Sequence, residues 1–302
     1  MKPESAKLIK RGLPLYVMIL PGLLYFLIFR YAPMGGLIII FKEYDPIRGF
    51  ARSAWVGLEQ FKRLFSEQDL SKLLGNTIIL SLLNLFLFFP APIILALLLN
   101  EIRQRHFKKV VQMVTYAPYF ISTVVVCGMI ILFLNREMGV LNHIRAFFGQ
   151  ERLNFITQPE LFRTIYVLSG VWQNTGWSTI IYLAVLSGVS PELVEAARMD
   201  GANRFQVIRH VNIPHIVPTI IILFILRCGS IFNLGFEKIF LLQNPLNLST
   251  SEVISTYVYR IGLLGAQFSY STAIGLFNTV CNLILLLIVN RISAKVSETS
   301  LW

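Results

Sequence analysis

Six stretches of apolar residues, at about 14–41, 73–99, 110–134, 163–187, 211–232 and 268–290, contain no Asp or Glu at all. An α-helix rises about 1.5 Å per residue, so roughly twenty such residues cross a hydrocarbon core of about 30 Å. An ionised carboxylate at mid-bilayer costs on the order of 3 kcal/mol, and every acidic residue here falls in a connection or a tail. The pattern predicts an all-α, polytopic membrane protein of six transmembrane helices. It places one membrane domain over 13–292 between short tails at 1–12 and 293–302. Composition agrees: 55% hydrophobic and only 14% charged residues over 302 positions, with a mean hydropathy of +0.64, carry too much apolar surface for one soluble domain.

The formal charge of +11 raises the question of nucleic acid, but the Lys and Arg residues are scattered among the apolar stretches and build no contiguous basic domain. Their placement reports orientation instead. Lys2, Lys7, Lys10 and Arg11 precede the first stretch, and Arg103, Arg105, Lys108 and Lys109 crowd the connection between the second and third. Cytoplasmic loops carry such an excess, which places both termini and the connection between the fourth and fifth stretches in the cytoplasm. The loop from Lys42 to Lys72 balances six basic residues with five acidic ones and weighs little either way. Within it, Leu58 to Phe65 has amphipathic helical spacing. The first stretch is too long for a signal peptide's apolar region and lacks a clean cleavage site, so it reads as an uncleaved span. Arg30 and Pro33 interrupt it and predict a kinked or interfacial extension. Cys127, Cys228 and Cys281 lie inside three different stretches and read as small buried apolar residues.

The connection between the fourth and fifth stretches has the signals of a short helix and a turn. Ser190 is a capping residue and Pro191 suits the first helical position. Glu192 and Glu195 sit toward the positive helix end, and Gly201 permits the left-handed residue that terminates it. Leu193, Ala196, Ala197 and Asp200 share a face by spacing, and the two alanines leave it flat enough for another protein to approach closely. An ordinary amphipathic loop helix lying on lipid headgroups is the alternative.

The run Glu195-Ala196-Ala197, three residues, Gly201, nine residues, then Val211-Asn212-Ile213-Pro214 resembles the EAA loop of ABC importer permeases, with Val211 and Ile213 in place of that pattern's Ile and Leu. The resemblance implies the type I ABC importer permease architecture, in which this loop, here 188–214, forms cytoplasmic coupling helices seated in a groove of an ATP-binding subunit. It further implies that Glu195 pairs with a basic residue of the ATPase, that Ala196 and Ala197 pack in the groove beside Asp200, that Gly201 makes the turn, and that Pro214 and Pro218 shape the start of the fifth span. No phosphate-binding G-x-x-x-x-G-K-[ST] loop occurs in the chain. No cofactor is therefore expected on this chain, and ATP and Mg belong on a partner ATPase. No reacting constellation marks an enzyme.

Several further segments look like carbohydrate-uptake permeases, and like their polysaccharide-type branch: Phe89-Pro90-Ala91-Pro92-Ile93, Tyr182-Leu183-Ala184, Thr256 to Gly262, and the terminal Ser300-Leu301-Trp302. Tyr119 departs from that branch, where histidine is expected. Such permeases usually work with a second related permease, two ATP-binding subunits and an extracellular or periplasmic solute-binding protein, which implies a bacterial cell-membrane location and an oligosaccharide substrate. The same architecture with a peptide or amino-acid cargo is the nearest alternative, followed by a self-sufficient channel or secondary transporter.

A sugar path needs aromatic faces for stacking and fixed amides for directional hydrogen bonds. Trp172-Gln173-Asn174-Thr175-Gly176-Trp177 supplies both, and in the last stretch Ser271, Gly275, Asn278 and Asn282 recur on one helical face. Helix packing through small residues and asparagine bonds accounts for such patterns equally well. Arg227, inside the fifth stretch, must face protein or a water-filled cavity, where a carboxylate-bearing glycan or backbone carbonyls are its candidate partners.

Overall fold

The computed structural model describes residues 3–67, 69–297 and 300. Among these, the chain groups into two compact units, Met1–Glu67 with Ile261–Ile274, and Gln68–Arg260 with Gly275–Trp302.

In the first unit the N-terminal helix Pro3–Phe26 continues through a π-turn at Leu27–Tyr31, the short Ala32–Met34 helix and a 3₁₀ segment Gly35–Phe41. Leu13–Phe41 is thereby 29 residues of apolar helix, long enough to cross a bilayer. The expected interruption at Pro33 takes the form of rewinding. Proline has no N–H and its ring crowds the carbonyl four residues back. The turn before it widens, so that the Ala32 N–H bonds to the Leu27 carbonyl, five residues back. The following loop is stitched by a two-residue antiparallel ladder, Lys42 opposite Trp55 and Glu43 opposite Ala54. The amphipathic spacing over Leu58–Phe65 is realised as the helix Glu59–Ser66, which buries Leu64. Nearby the Arg63 guanidinium lies 4.1 Å from the Tyr270 ring centre, and the Tyr270 hydroxyl donates to Glu67 Oε2 at 3.2 Å.

In the second unit Leu70–Phe88 and Pro90–Glu101 join into one span, Leu70–Glu101, and Arg204–Cys228 makes another. With Leu13–Phe41 and Phe268–Lys295, four helices have the length and apolarity of unbroken spans; two bent pairs bring the number to six where each pair is taken as one. One of these corrects the sequence expectation. The third stretch is not a straight helix over 110–134. Arg105–Phe120 and Thr123–Phe133 meet at 99°. Pro118 stands in the 3₁₀ turn Ala117–Phe120 at the break, and Ser122 starts the next helix by accepting the Val125 N–H at 3.4 Å. A hydropathy pattern registers the apolar residues on both sides of such a corner and carries no information about direction.

The Pro159–Leu186 helix organises this unit. At one end Phe162, Tyr166 and Val167 pack with Leu80, Cys127, Leu234, Ile239 and Leu242. At the other, Tyr182 and Leu186 pack with Ala96, Leu97 and Ile216. Between them a Cβ on Gly176 would overlap the Thr115 carbonyl, so glycine is what lets the Arg105–Tyr116 helix approach this closely.

Candidate functional site

Two places carry the residues singled out from sequence. The first is the connection after the long helix, which bends by 79° into the short helix Pro191–Met199. Ser190 caps it, accepting the Glu192 N–H at 3.2 Å. It ends in a Schellman turn: Gly201 takes φ +83°, its N–H bonds to the Arg198 carbonyl at 3.0 Å, and the Ala202 N–H bonds to the Ala197 carbonyl at 2.9 Å. Asn203 then opens the next helix, Arg204–Val207, through a reciprocal capping box with Gln206 at 2.7 and 2.9 Å. A second π-turn, Ile208–Asn212, precedes Pro214 and repeats the device seen at Pro33, with the Ile213 N–H bonded to the Ile208 carbonyl.

Glu195, Ala196 and Asp200 are exposed on this loop and Ala197 is half-buried, while Pro214 is exposed in the first turn of the Ile213–Cys228 helix. Leu193, Met199 and Phe205 are also exposed. Met199 and Phe205 were not expected here. Large apolar side chains just before and after the Gly201 turn are the signal that marks them in the sequence.

The second place is a cavity of about 550 Å³ in the second unit. Gly170, Gln173, Asn174, Trp177 and Ser178 line it from the long helix. They fall at i, i+3, i+4, i+7 and i+8, which is one helical face. Trp172 lies off that face, half-exposed and away from the cavity lining. Gln173 is buried and donates to the Ile121 carbonyl at 3.1 Å, holding the corner between the two bent helices. Trp177 stacks on Tyr119 with ring centres 4.7 Å apart and planes 4° apart. The residue standing where histidine was expected thus forms part of the cavity's aromatic wall.

The opposite wall is the turn after the fifth span. Its helix stops at Cys228, which places Arg227 in the last turn, where a cation is favoured by the helix dipole. This refines the sequence reading, in which the apolar stretch ran on to residue 232. Arg227 lines the cavity with its guanidinium 5.4 Å from the Phe88 ring centre. The turn itself is tied down by polar bonds. Ser81 Oγ donates to the Ile231 carbonyl at 2.6 Å, the Phe232 N–H donates to Asn282 Oδ1 at 3.1 Å, and Asn278 and Asn282 both donate to Asn233 Oδ1, at 3.2 and 3.3 Å. Asn233 lines the cavity; Asn278 stands behind it.

Lys238 was missed in the sequence because it lies in a connection, where a lysine is unremarkable. It sits on the short helix Phe236–Leu242, is buried, and lines the cavity together with Glu237. Burial pushes its ammonium down to about 8, with the Cys127 sulfur working in the opposite direction.

Residues 89–298 match the family described as binding-protein-dependent transport system inner membrane component. The chain is 47% identical over 288 residues to the polygalacturonan/rhamnogalacturonan transport system permease protein YteP of Bacillus subtilis (strain 168), covering 95% of this chain and 90% of that protein. It is 44% identical to protein LplB of the same organism, over 97% of this chain and 92% of that one. The fold is similar to a chain of a bacterial ABC transporter involved in the import of the acidic polysaccharide alginate, with a TM-score of 0.90, 42% identity, and coverage of 97% of this chain and 99% of that one. A second structure, of a bacterial alginate ABC transporter in complex with an alginate pentasaccharide-bound periplasmic protein, matches with a TM-score of 0.89 and 42% identity over 98% of this chain and 99% of that one. With the family pattern spanning most of the chain and the fold shared along nearly all of it, this protein belongs to the inner-membrane permease components of binding-protein-dependent ABC transport systems.

Proposed function

We propose that this chain forms one half of the translocation path of an ATP-driven importer of oligosaccharides, the other half being a second, related permease. The observation that carries this reading is the cavity: a stacked aromatic wall at Tyr119 and Trp177, amides at Gln173, Asn174 and Asn233, and charged groups opposite them. Aromatic faces and directional polar groups are what a sugar ring and its hydroxyls bind. The relatives transport polygalacturonan and rhamnogalacturonan in one case and alginate in another, and cargo of that kind fits these walls.

In this reading a solute-binding protein delivers the oligosaccharide, and two ATP-binding subunits, which carry ATP and Mg, drive alternating access. The Pro191–Met199 helix seats in the ATPase, with Glu195, Ala196, Ala197 and Asp200 at the contact. Both termini and this loop then face the cytoplasm. The exposed Met199 and Phe205 add apolar contact area beside Glu195.

The test is ATP hydrolysis by the reconstituted complex of both permeases, the ATPases and the binding protein, titrated with neutral and acidic oligosaccharides. Stimulation by an oligosaccharide is expected; hydrolysis indifferent to every glycan sinks the cargo assignment. Glu195→Lys and Gly201→Trp are expected to leave the protein in the membrane and abolish stimulation, because the first reverses a charge at the contact and the second places a side chain at φ +83°. Full stimulation in both variants removes the coupling role of the loop.

A further inference from the structure

Lys238 is only 8% exposed, and its Nζ is buried without a hydrogen-bond partner among the described residues. An ammonium has three donors and no acceptor, and a buried cation normally carries a paired anion or a set of carbonyls. What surrounds Lys238 supplies neither. The Tyr166 ring centre lies 5.7 Å from Nζ, which gives a weak cation–π contact. The cavity holds a second cation, Arg227, which likewise makes no ion pair among the described residues, and one carboxylate, Glu237, which is not within ion-pairing distance of either. Two positive groups against one negative leave the cavity walls cationic. The lysine's charge is largely present at neutral pH, since burial brings its pKa to about 8 and no lower.

We propose that Lys238 is a specificity-determining residue of the translocation path, which pairs with the carboxylate of an acidic sugar unit while Arg227, lining the same cavity, adds to the positive charge there. The proposal rests on the oligosaccharide reading above and narrows it to glycans carrying carboxylates. A neutral sugar would leave the ammonium as unpaired as it is in the free protein, so discrimination comes from the attraction that only a carboxylate supplies.

The experiment compares the reconstituted complex containing wild-type chain, Lys238→Met or Lys238→Arg, with a galacturonic-acid trisaccharide and its methyl ester as probes. The readout is the concentration that half-stimulates ATP hydrolysis. The binding protein is the same in all three complexes, so its own preference cancels in the acid-to-ester ratio. Lys238→Met is expected to raise the concentration needed for the acid by at least about tenfold and to change that for the ester by no more than about twofold; Lys238→Arg keeps the wild-type ratio. An unchanged ratio in Lys238→Met overturns the proposal. So does a wild-type complex driven by the ester and not by the acid, although the oligosaccharide reading then survives. If neither sugar stimulates the wild-type complex the proposal falls, while the oligosaccharide reading falls only when hydrolysis is indifferent to every neutral and acidic glycan tried. Removing a buried unpaired charge does not endanger folding, and a thermal midpoint for Lys238→Met at or above wild type verifies that the comparison is made on folded protein.

Discussion

The first and fourth membrane helices of this protein are built for opposite surroundings. Leu13–Phe41 is apolar apart from Arg30 and nearly all of its side chains are exposed, with Ile40 the only buried residue of its final segment. Pro159–Leu186 is more polar and buries eight residues, among them Gln173, Gly176 and Thr179. In a soluble protein the more apolar helix would be the core. In a bilayer lipid tails are as apolar as leucine, so hydrophobicity marks the helix that can face lipid, while small and hydrogen-bonding residues mark the one that packs on its neighbours and walls the cavity. Midway along, the first helix carries Tyr25 and Phe29, whose ring centres lie 5.2 Å apart, and Arg30 is its one charged residue.

The contrast can be broken by substitution. Phe162→Ala opens a cavity in the cluster around Tyr166 and Leu234 and is expected to cost about 3–5 kcal/mol, against less than about 1 kcal/mol for Phe29→Ala on the first helix, measured as loss of stability in detergent. Equal losses would mean that the first helix is packed as tightly as the fourth. Gly176→Leu forces a side chain into the Thr115 carbonyl and should destabilise by about 1–3 kcal/mol or prevent assembly, whereas Gly22→Leu meets nothing within 4 Å and should be close to neutral.

A further effect is expected at Lys238 and depends on pH. Its folded pKa of about 8 lies below the ordinary lysine value, so folding disfavours the charged form. The penalty is complete below pH 8 and is relieved as pH rises from 8 toward the unfolded value, which makes the wild type gain stability over that interval. Lys238→Met should therefore exceed wild type in thermal midpoint by most below pH 8, with the gap closing above it. The titratable or charged groups around the amine are Cys127, Tyr166, Arg227 and Glu237; Arg227 lines the same cavity and Glu237 is the adjacent residue in the chain. A gap that does not vary with pH would mean that Lys238 is not the group titrating.

Much of this was open to reading in the chain itself. The six apolar stretches follow from the absence of acidic residues within them, because the bilayer imposes that rule on each segment independently of its neighbours; that only four run unbroken does not. The turn at Gly201 follows from local backbone chemistry, and the Schellman bonds form within six consecutive residues. The cavity face was half legible: the helical period separates Gln173, Asn174 and Trp177 from Trp172, but not which face points inward. Lys238 had no local signal at all. Its surroundings are assembled from Cys127, Tyr166 and Gly170, more than sixty residues away in sequence, and only their packing removes the ammonium from water.

What the sequence by itself determined is thus whatever each segment settles with solvent, lipid or its own backbone: the membrane class, the family, and where helices start and stop at Ser190, Gly201 and Pro214. What only the tertiary structure decided is direction and company. The hold of Gln173 on the 99° corner after Phe120, the close crossing at Gly176 and Thr115, and the meeting of Arg227 and Lys238 in one cavity arise from contacts between distant segments. Hydropathy sums energies along the chain, and such contacts contribute nothing to that sum until the helices are packed.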